Sequence, residues 1–484
     1  MAVAQGSCPN CGAPIEFGLG ASLAKICEYC RATVVRSDRG LENLGIVADL
    51  ADTPSLIAVG DEGALSGRPF RVFGRVQLDH GQGPWDEYYV AFDHGRSWGW
   101  LAFAEGRWHV TEHVAGPTAP PYASLRLEQD IPLGPHGVFR VTEIKTGRVT
   151  SAEGELPGAT RPGTERYYAD LFGRDNAFGT LDFGDGRSPV EVFLGFVFEE
   201  TRMQVSALGP RSARKVQTSV IACPNCGGEL PRLSGERAER LGCPYCGAVS
   251  DIATQRIVSQ QEAARAGTDI PMGGKAELGG ASYVCIAYVR RRSDFEGERY
   301  RWEEYLVWAA SVGFRWLVKD PETGWSWVTP VNPAEIDLRG MPDHVRWHNR
   351  SFLLRNRNVA EVEYVLGEVY WKCEVGERTR VSDLIEGGEV LSREESPGEV
   401  RWSHSAKVPW SVLAQAFGLD PDGPGKPVTP SGSAGGAGCG SSLFYLLVLG
   451  LILVFVMMNS YSAFPLGVIV GGASRGGGVY FGGK

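Results

Sequence analysis

Two cysteine pairs organise the second half of the chain: Cys223-Pro-Asn-Cys226-Gly is followed sixteen residues later by Cys243-Pro-Tyr-Cys246-Gly. The same arrangement occurs 215 positions earlier, where Cys8-Pro-Asn-Cys11-Gly precedes Cys27-Glu-Tyr-Cys30. Two residues between paired cysteines let both sulfurs reach one ion at ~2.3 Å, and two such pairs complete a tetrahedron. The spacing therefore predicts two structural zinc ions, one bound by Cys8, Cys11, Cys27 and Cys30 and one by Cys223, Cys226, Cys243 and Cys246.

The cysteine clusters belong to a larger internal repeat. Trp85-Asp-Glu-Tyr-Tyr-Val corresponds to Trp302-Glu-Glu-Tyr-Leu-Val, 217 positions later, and Gly154-Glu-Leu corresponds to Gly367-Glu-Val. One unit, a zinc ribbon followed by a β domain, therefore occurs twice. The predicted boundaries are 1–40 for zinc ribbon 1, 52–205 for β domain 1, 216–255 for zinc ribbon 2 and 265–418 for β domain 2.

Apolar residues within each unit recur with a period of two, which is typical of half-buried strands. Phe70, Val72, Val76 and Leu78 are an example. Helical periodicity is limited to pieces such as 259–266 and 410–417. Many short strands with turn signals between them predict a mainly β fold, with a β-barrel or sandwich-like domain after each ribbon.

The C-terminus has a different composition. A Pro/Gly/Ser linker at 419–440 precedes an apolar run centred on Leu443–Met458, and a Gly-rich tail follows at 464–484. A bilayer core takes roughly 20 apolar residues, so we predict one transmembrane helix at 441–463, with a buried core helix as the alternative. Paired thiols survive best in a reducing compartment, which places the bulk of the chain in the cytoplasm as a single-pass membrane protein.

Charge argues against nucleic acid as a partner. The 484 residues carry 48 Lys and Arg against 57 Asp and Glu, a net charge of -9. Neither ribbon is basic, and binding to a phosphate backbone depends on concentrated positive charge. We therefore expect no nucleic-acid binding.

No convincing catalytic set emerges, so a non-enzymatic function is favoured over an enzyme. Adjacent carboxylates on one strand point to opposite faces, and they therefore make a poor acid/base pair. Histidines four residues apart can bind a metal but lack an evident third ligand. The candidates weighed are Asp86-Glu87, Glu303-Glu304, His109 with His113, His344 with His348, and the thiols of Cys285 and Cys373.

Aromatic and basic residues are concentrated in the second unit. A tryptophan set there can line a ligand groove or fill a core. An arginine set can contact anionic lipid or form a solvated strand face. The first set is Trp302, Trp308, Trp316, Trp325 and Trp327, and the second is Arg290, Arg291, Arg292, Arg339, Arg346, Arg350, Arg355 and Arg357.

The segment Gly367-Glu-Val-Tyr-Trp-Lys-Cys-Glu-Val-Gly-Glu, with Asp383-Leu, Leu391-Ser and Gly398-Glu-Val-Arg-Trp-Ser after it, resembles the bacterial domain-of-unknown-function family numbered 4178. The first unit resembles it more loosely, because Pro157-Gly follows Gly154-Glu-Leu where the family has Tyr-Trp. The resemblance implies mostly β domains, often joined to zinc ribbons, and it implies no catalytic residues.

These observations predict a membrane-tethered, zinc-stabilised cytoplasmic scaffold with a protein partner, and the resemblance to the family implies a context in membrane homeostasis or stress. The alternative is a small-molecule sensor or enzyme with its pocket in the Trp-rich second β domain.

Overall fold

A computed structural model describes residues 4–37, 40–47, 50, 55–80, 84–104, 106–158, 161–187, 189–206, 220–235, 237–262, 267–295 and 298–423. Over these residues the chain is mainly β, with one α-helix and four short 3-10 turns. The predicted fold class is thereby confirmed at the level of secondary structure.

The first cysteine cluster lies in a small group of strands, named ribbon 1. β1 and β2 form a hairpin of their own, whereas β3, β4 and β5 pair in sequence and connect onward to the next domain. The strands of ribbon 1 are β1 (Ala4–Ser7), β2 (Pro14–Phe17), β3 (Ala24–Ile26), β4 (Ala32–Ser37) and β5 (Gly40–Ile46).

The domain that follows ribbon 1 is a closed ring of antiparallel strands, named barrel 1. Its strands are β6 (Glu62–Leu65), β7 (Arg68–Asp79), β8 (Pro84–Phe92), β9 (Ser97–Ala104), β10 (Arg107–His113), β11 (Asp130–Pro132), β12 (Val138–Leu156), β13 (Glu165–Phe172), β14 (Ala177–Asp182), β15 (Glu191–Phe198) and β16 (Met203–Ser206). Pairing runs β7-β8-β9-β10-β15-β14-β13-β12 and returns to β7.

Ribbon 2 repeats the arrangement of ribbon 1. β17 and β18 form the separate hairpin, β19 pairs with β20 and with the following domain, and β20 pairs with β21. The strands of ribbon 2 are β17 (Val220–Ala222), β18 (Glu229–Pro231), β19 (Arg240–Gly242), β20 (Ala248–Asp251) and β21 (Ile257–Gln260). The helical periodicity at 259–266 does not correspond to a helix at the start of that segment. Its first two residues belong to strand β21, which pairs with β20.

The second domain, barrel 2, has the same connectivity as barrel 1. Pairing runs β23-β24-β25-β26-β31-β30-β29-β28 and returns to β23. The elements are β22 (Lys275–Leu278), β23 (Ala281–Phe295), β24 (Glu298–Ala309), β25 (Gly313–Asp320), β26 (Gly324–Pro330), β27 (His344–Trp347), β28 (Arg350–Val369), β29 (Arg378–Glu386), β30 (Glu389–Ser396), β31 (Glu399–Lys407) and α1 (Trp410–Phe417).

Helix α1 is where helical periodicity predicted a helix, and it packs on barrel 2. Its buried residues Trp410 and Leu413 join a cluster that includes Tyr305 and Trp325. Gly418 ends the helix in a left-handed conformation with φ 67°. The described chain therefore leaves the body from barrel 2.

The two barrels meet along a polar and aromatic seam. The backbone N–H of Ile144 donates to the carbonyl of Gly398 at 2.8 Å. Glu128 of barrel 1 accepts hydrogen bonds from Arg393 at 2.7 Å and from the indole of Trp402 at 2.9 Å. These contacts tie the two units into one body.

The described residues contain no helix that is long and apolar enough to cross a membrane. The predicted transmembrane helix at 441–463 and the tail at 464–484 lie outside the described residues, as does the linker beyond residue 423.

Candidate metal centres

Each cysteine cluster brings four sulfur atoms together. All four ligand atoms of a cluster lie within 4.8 Å of one another, in ribbon 1 and in ribbon 2 alike. Within the described residues, these two clusters are the groups of three or more His, Cys, Asp or Glu side chains positioned to hold a metal ion. In ribbon 1 the Sγ atoms of Cys8 and Cys30 are 3.7 Å apart, as are those of Cys11 and Cys27.

The sulfur separations fit a tetrahedral ion. Metal–sulfur bonds of ~2.3 Å at tetrahedral angles place the sulfurs about 3.8 Å apart. In ribbon 2 the Cys223–Cys246 and Cys226–Cys243 separations are 3.7 and 3.8 Å. Four thiolates fill a tetrahedral shell and leave no position for a substrate, so the arrangement is that of a structural metal site.

The loops that present the cysteines share one backbone conformation. The residue after the second cysteine of a pair has positive φ, 77° at Gly12, 75° at Gly227 and 73° at Gly247. Its N–H donates to the carbonyl of the first cysteine, as in Gly227 to Cys223 at 2.8 Å. Arg31 takes the glycine position in the remaining loop and still has φ 59°, a conformation that costs a non-glycine residue about 1 kcal/mol.

Hydrogen bonds lower the pKa of one thiol in each cluster. The Asn10 side chain lowers the pKa of Cys30 to about 6. Burial raises the pKa of Cys246, but hydrogen bonds from the Ala248 backbone and the Asn225 side chain outweigh that effect and bring it to about 7. These hydrogen bonds favour the thiolate, which is the form that binds a metal, at one cysteine of each cluster.

Each ribbon continues the sheet of its own barrel. In the first unit β3 pairs with the end of β12, with Ala24 opposite Leu156. In the second unit β19 pairs with the end of β28, with Leu241 opposite Glu368. The metal clusters are therefore attached to the barrels through backbone hydrogen bonds, and they are not separate modules on a flexible linker.

In each unit a glutamate of the barrel accepts hydrogen bonds from the ribbon. Glu155 accepts hydrogen bonds from the backbone N–H groups of Gly18 at 2.6 Å and Leu19 at 3.1 Å. Glu368 accepts them from Leu233 at 2.8 Å and Ser234 at 2.7 Å, and also from the Ser234 hydroxyl. Burial raises the pKa of Glu368, although these hydrogen bonds partly offset the effect. The sequence repeat contained both glutamates but gave no indication of this role.

The glycine before each glutamate is required by close packing. Gly154 and Gly367 have φ of 73° and 80°. A Cβ at Gly154 would lie 2.3 Å from the carbonyl oxygen of Phe73, and one at Gly367 would lie 2.3 Å from that of Ile286. The Gly-Glu pair therefore has the same structural role in both units. The glycine allows close approach of the neighbouring strand backbone, and the glutamate accepts hydrogen bonds from the ribbon.

The carboxylates of the two candidate acid/base pairs form ion pairs and hydrogen bonds within the barrels. Glu304 is fully buried, pairs with Arg291 at 3.2 Å and accepts from the indole of Trp302 at 2.8 Å. Glu87 is buried in barrel 1, where the Trp85 indole donates to it at 3.3 Å. Neighbouring Asp86 and Glu303 pair with Arg75 and Lys319.

The histidine and free cysteine candidates do not assemble into a site. Burial lowers the pKa of His109 to about 3, and its ring packs 4.7 Å from that of Phe178. His113 stacks on Trp98, and His344 and His348 lie at the surface. Cys285 and Cys373 are buried thiols whose pKa is raised by that burial.

A cavity of about 270 Å³ lies at the seam between the barrels. Phe172 of barrel 1 and Phe314, Tyr370 and Trp402 of barrel 2 form apolar parts of its wall. Five tryptophans were candidates for a groove lining or a core, and Trp302, Trp316 and Trp325 are buried in the core, whereas none of the five lines this cavity.

Comparison with known families identifies both barrels. The family described as Domain of unknown function (DUF4178) matches residues 58–200 and again residues 271–409. The chain belongs to this family. It carries two tandem DUF4178 domains, as the resemblance predicted, each preceded by a ribbon with a four-cysteine cluster. Comparisons with curated proteins and with solved structures give no significant match.

Proposed function

We propose that this DUF4178 protein is a membrane-tethered, zinc-stabilised scaffold that binds a protein partner at the cytoplasmic face and has no enzymatic activity. The observation that supports it most is the attachment of each four-cysteine cluster to its barrel by strand pairing and by Glu155 or Glu368. A closed metal shell within such a junction stiffens the body and offers no position for a substrate.

Zinc is the proposed ion because tetrahedral four-sulfur sites suit zinc, with iron as the main competitor. The membrane tether rests on the apolar run at 441–463, and the cytoplasmic location rests on eight paired cysteines, whose thiols stay reduced best in the cytosol. Membrane homeostasis or stress is the proposed context of the scaffold.

Affinity purification in detergent tests the scaffold. The bait is the full chain, and its matched control is a chain ending at Pro430, which keeps both barrels and lacks the apolar run. We expect one partner in stoichiometric amount with the full chain, identified by mass spectrometry. Loss of every partner from both baits would contradict the scaffold and direct attention to ligands.

A small-molecule sensor is the second candidate, and the seam cavity favours it. Its 270 Å³ is just below the usual range for ligand pockets, about 300–1,000 Å³, and its aromatic wall comes from both barrels. A sensor predicts ligand-dependent tryptophan fluorescence that is lost in Trp402→Phe. Unchanged fluorescence over a metabolite panel would favour the scaffold.

A further inference from the structure

An arginine-rich groove of about 640 Å³ crosses the outward side of strands β23, β28, β29 and β30 in barrel 2. Three acidic residues share it with five arginines, and Glu128 of barrel 1 pairs with one of these, Arg393, at 2.7 Å, so the arginines outnumber the carboxylates around the groove by five to four. The groove arginines are Arg292, Arg357, Arg378, Arg380 and Arg393, and the acids are Asp294, Glu361 and Glu395. Only Arg292 and Arg357 belong to the arginine set noted in the sequence.

The ion pairs in the groove hold the arginines in place without neutralising all of them. Glu361 contacts both Arg292 and Arg378, the latter at 3.8 Å. Glu395 likewise forms ion pairs with Arg380, at 3.5 Å, and with Arg393. The side chains of Arg378 and Arg380 remain 68% and 77% exposed.

Arg357 lies among these pairs, and no carboxylate of the described residues is paired with it. Its guanidinium donates to the carbonyl of Pro342 at 3.4 Å and has no carboxylate within ion-pair distance among the described residues. The exposed side chain of Val359 lies beside it on the same face. The groove therefore presents unpaired positive charge around a small apolar centre.

The duplicated barrel shows that this face is not an ordinary feature of the fold. Strands β12 and β13 pair in the same register as β28 and β29, since Glu143 is opposite Asp170 as Asn356 is opposite Asp383. In that register barrel 1 has apolar or aromatic residues at four of the charged groove positions, whereas Glu361 and Arg378 correspond to the ion pair of Arg148 and Glu165. Ile144, Tyr167, Leu181 and Phe183 correspond to Arg357, Arg380, Arg393 and Glu395.

Barrel 1 covers its version of the face with its own chain. Tyr122, from the connection between β10 and β11, packs 5.2 Å from the ring of Tyr167 and 5.4 Å from that of Phe183. Leu125 of the same connection is buried in this cluster. Barrel 2 leaves the corresponding face open and rich in arginine, so the two copies differ in that one packs its own chain against this face and the other exposes a charged groove.

We propose that this groove binds the phosphate headgroups of anionic phospholipids. The proposal rests on the membrane tether of the proposed function. The described chain ends at residue 423 after α1, which packs on barrel 2, and the 17 residues 424–440 can span at most about 60 Å before the apolar run. Guanidinium groups bind phosphate oxygens through paired, charge-assisted hydrogen bonds.

The test uses the full chain with vesicles of phosphatidylcholine alone or mixed equally with phosphatidylglycerol. Hydrogen exchange of peptides from β28 and β29 is measured by mass spectrometry. The groove variant is Arg357→Gln/Arg378→Gln/Arg380→Gln. Its matched control, Arg148→Gln/Arg161→Gln/Arg187→Gln, removes the same charge from exposed positions of barrel 1.

We expect slower exchange in β28 and β29 with anionic vesicles only, lost in the groove variant and kept in the control. Each arginine near an anionic surface contributes about fivefold to binding, so three contribute roughly a hundredfold. Equal exchange with both vesicle types, or equal loss in both variants, would overturn the proposal. Equal protection by a single-stranded oligonucleotide without vesicles would overturn the assignment to lipid.

Co-flotation of the protein with vesicles tests the membrane tether and the groove separately. A chain that fails to float with neutral vesicles has no tether, and the proposed function then fails in that respect. Flotation of the wild type and the groove variant with anionic vesicles still tests the groove in that case. Equal flotation of the two would overturn it.

Discussion

The carboxylate of Glu368 accepts a hydrogen bond from the backbone N–H of Ser234 across 2.7 Å, and this contact joins the end of a barrel strand to the ribbon 134 residues before it. Glu155 makes the equivalent contact with Leu19 in the first unit. Ribbon, metal cluster and barrel are thus parts of one structural unit. A change that destabilises one of them should therefore lower the stability of the others.

Replacing Glu368 with alanine should destabilise barrel 2 and its ribbon together. The change leaves two backbone N–H groups and the Ser234 hydroxyl without their acceptor, at about 1–3 kcal/mol for each buried group. Removal of a buried carboxylate offsets part of that loss. We expect the free energy of unfolding, measured by urea titration, to fall by about 3 kcal/mol.

Glu277→Ala is the control for this prediction, since Glu277 is exposed on β22. It should change the free energy of unfolding by less than about 0.5 kcal/mol. If Glu368→Ala behaves like this control, the glutamate does not hold the ribbon.

Metal content should follow the two clusters independently. Four thiolates bind one ion, so the wild type should contain two zinc ions per chain, and Cys243→Ser should contain one. Elemental analysis of protein purified without chelators measures the ratio. Because β19 pairs with β28, loss of the ion should also lower the unfolding temperature of barrel 2.

Cys285→Ala is the matched variant for the metal measurement. Cys285 is buried in barrel 2 and lies outside both clusters, so its variant should keep two ions. A wild type without metal, or a Cys243→Ser protein with two ions, would contradict the assignment.

Gly367→Ala should be far more damaging than a glycine substitution in open space. At Gly367 the new methyl group would lie 2.3 Å from the carbonyl oxygen of Ile286. Gly376 also has positive φ, 90°, but nothing lies within 4 Å of its Cβ position. We expect Gly376→Ala to cost about 1 kcal/mol of unfolding free energy and Gly367→Ala at least about 3 kcal/mol. Similar losses at both positions would show that backbone strain alone matters.

Asp383 should make stability depend on pH. Burial raises its pKa to about 6, and the Ser392 hydroxyl, 2.7 Å away, limits the rise. An unfolded aspartate ionises near pH 4, so the unfolded chain loses this proton first and the free energy of unfolding falls as pH rises from about 4 to 6. The loss is about 3 kcal/mol and persists above pH 6.

Asp383→Asn removes that dependence, since a neutral amide takes the place of the protonated acid and can keep the contact with Ser392. The variant should match the wild type at pH 4 and exceed its free energy of unfolding at pH 8. Denaturant titrations at both pH values provide the measurement. A variant less stable than the wild type at pH 8 would show that the charged carboxylate is stabilising.

Local chemistry made several features predictable. The spacing of Cys223, Cys226, Cys243 and Cys246 specifies a tetrahedral site because sulfur positions depend on a few bonds of backbone. Alternating apolar residues specify strands because successive side chains of a strand point to opposite faces. The repeated Gly-Glu pair was visible in the sequence, but its meaning depends on a partner 134 residues away in the case of Ser234 and Glu368.

Residue spacing and periodicity were enough to predict the mainly β composition, the two four-cysteine clusters and the duplication of the DUF4178 domain. The folded arrangement was needed to show that eight strands close into each barrel, that a cavity lies at the seam, and that Arg357, Arg380 and Arg393 meet in one groove. Those arginines come from three different strands. Spacing along a chain says nothing about which strands become neighbours, because strand order follows from burying apolar surface throughout the whole domain.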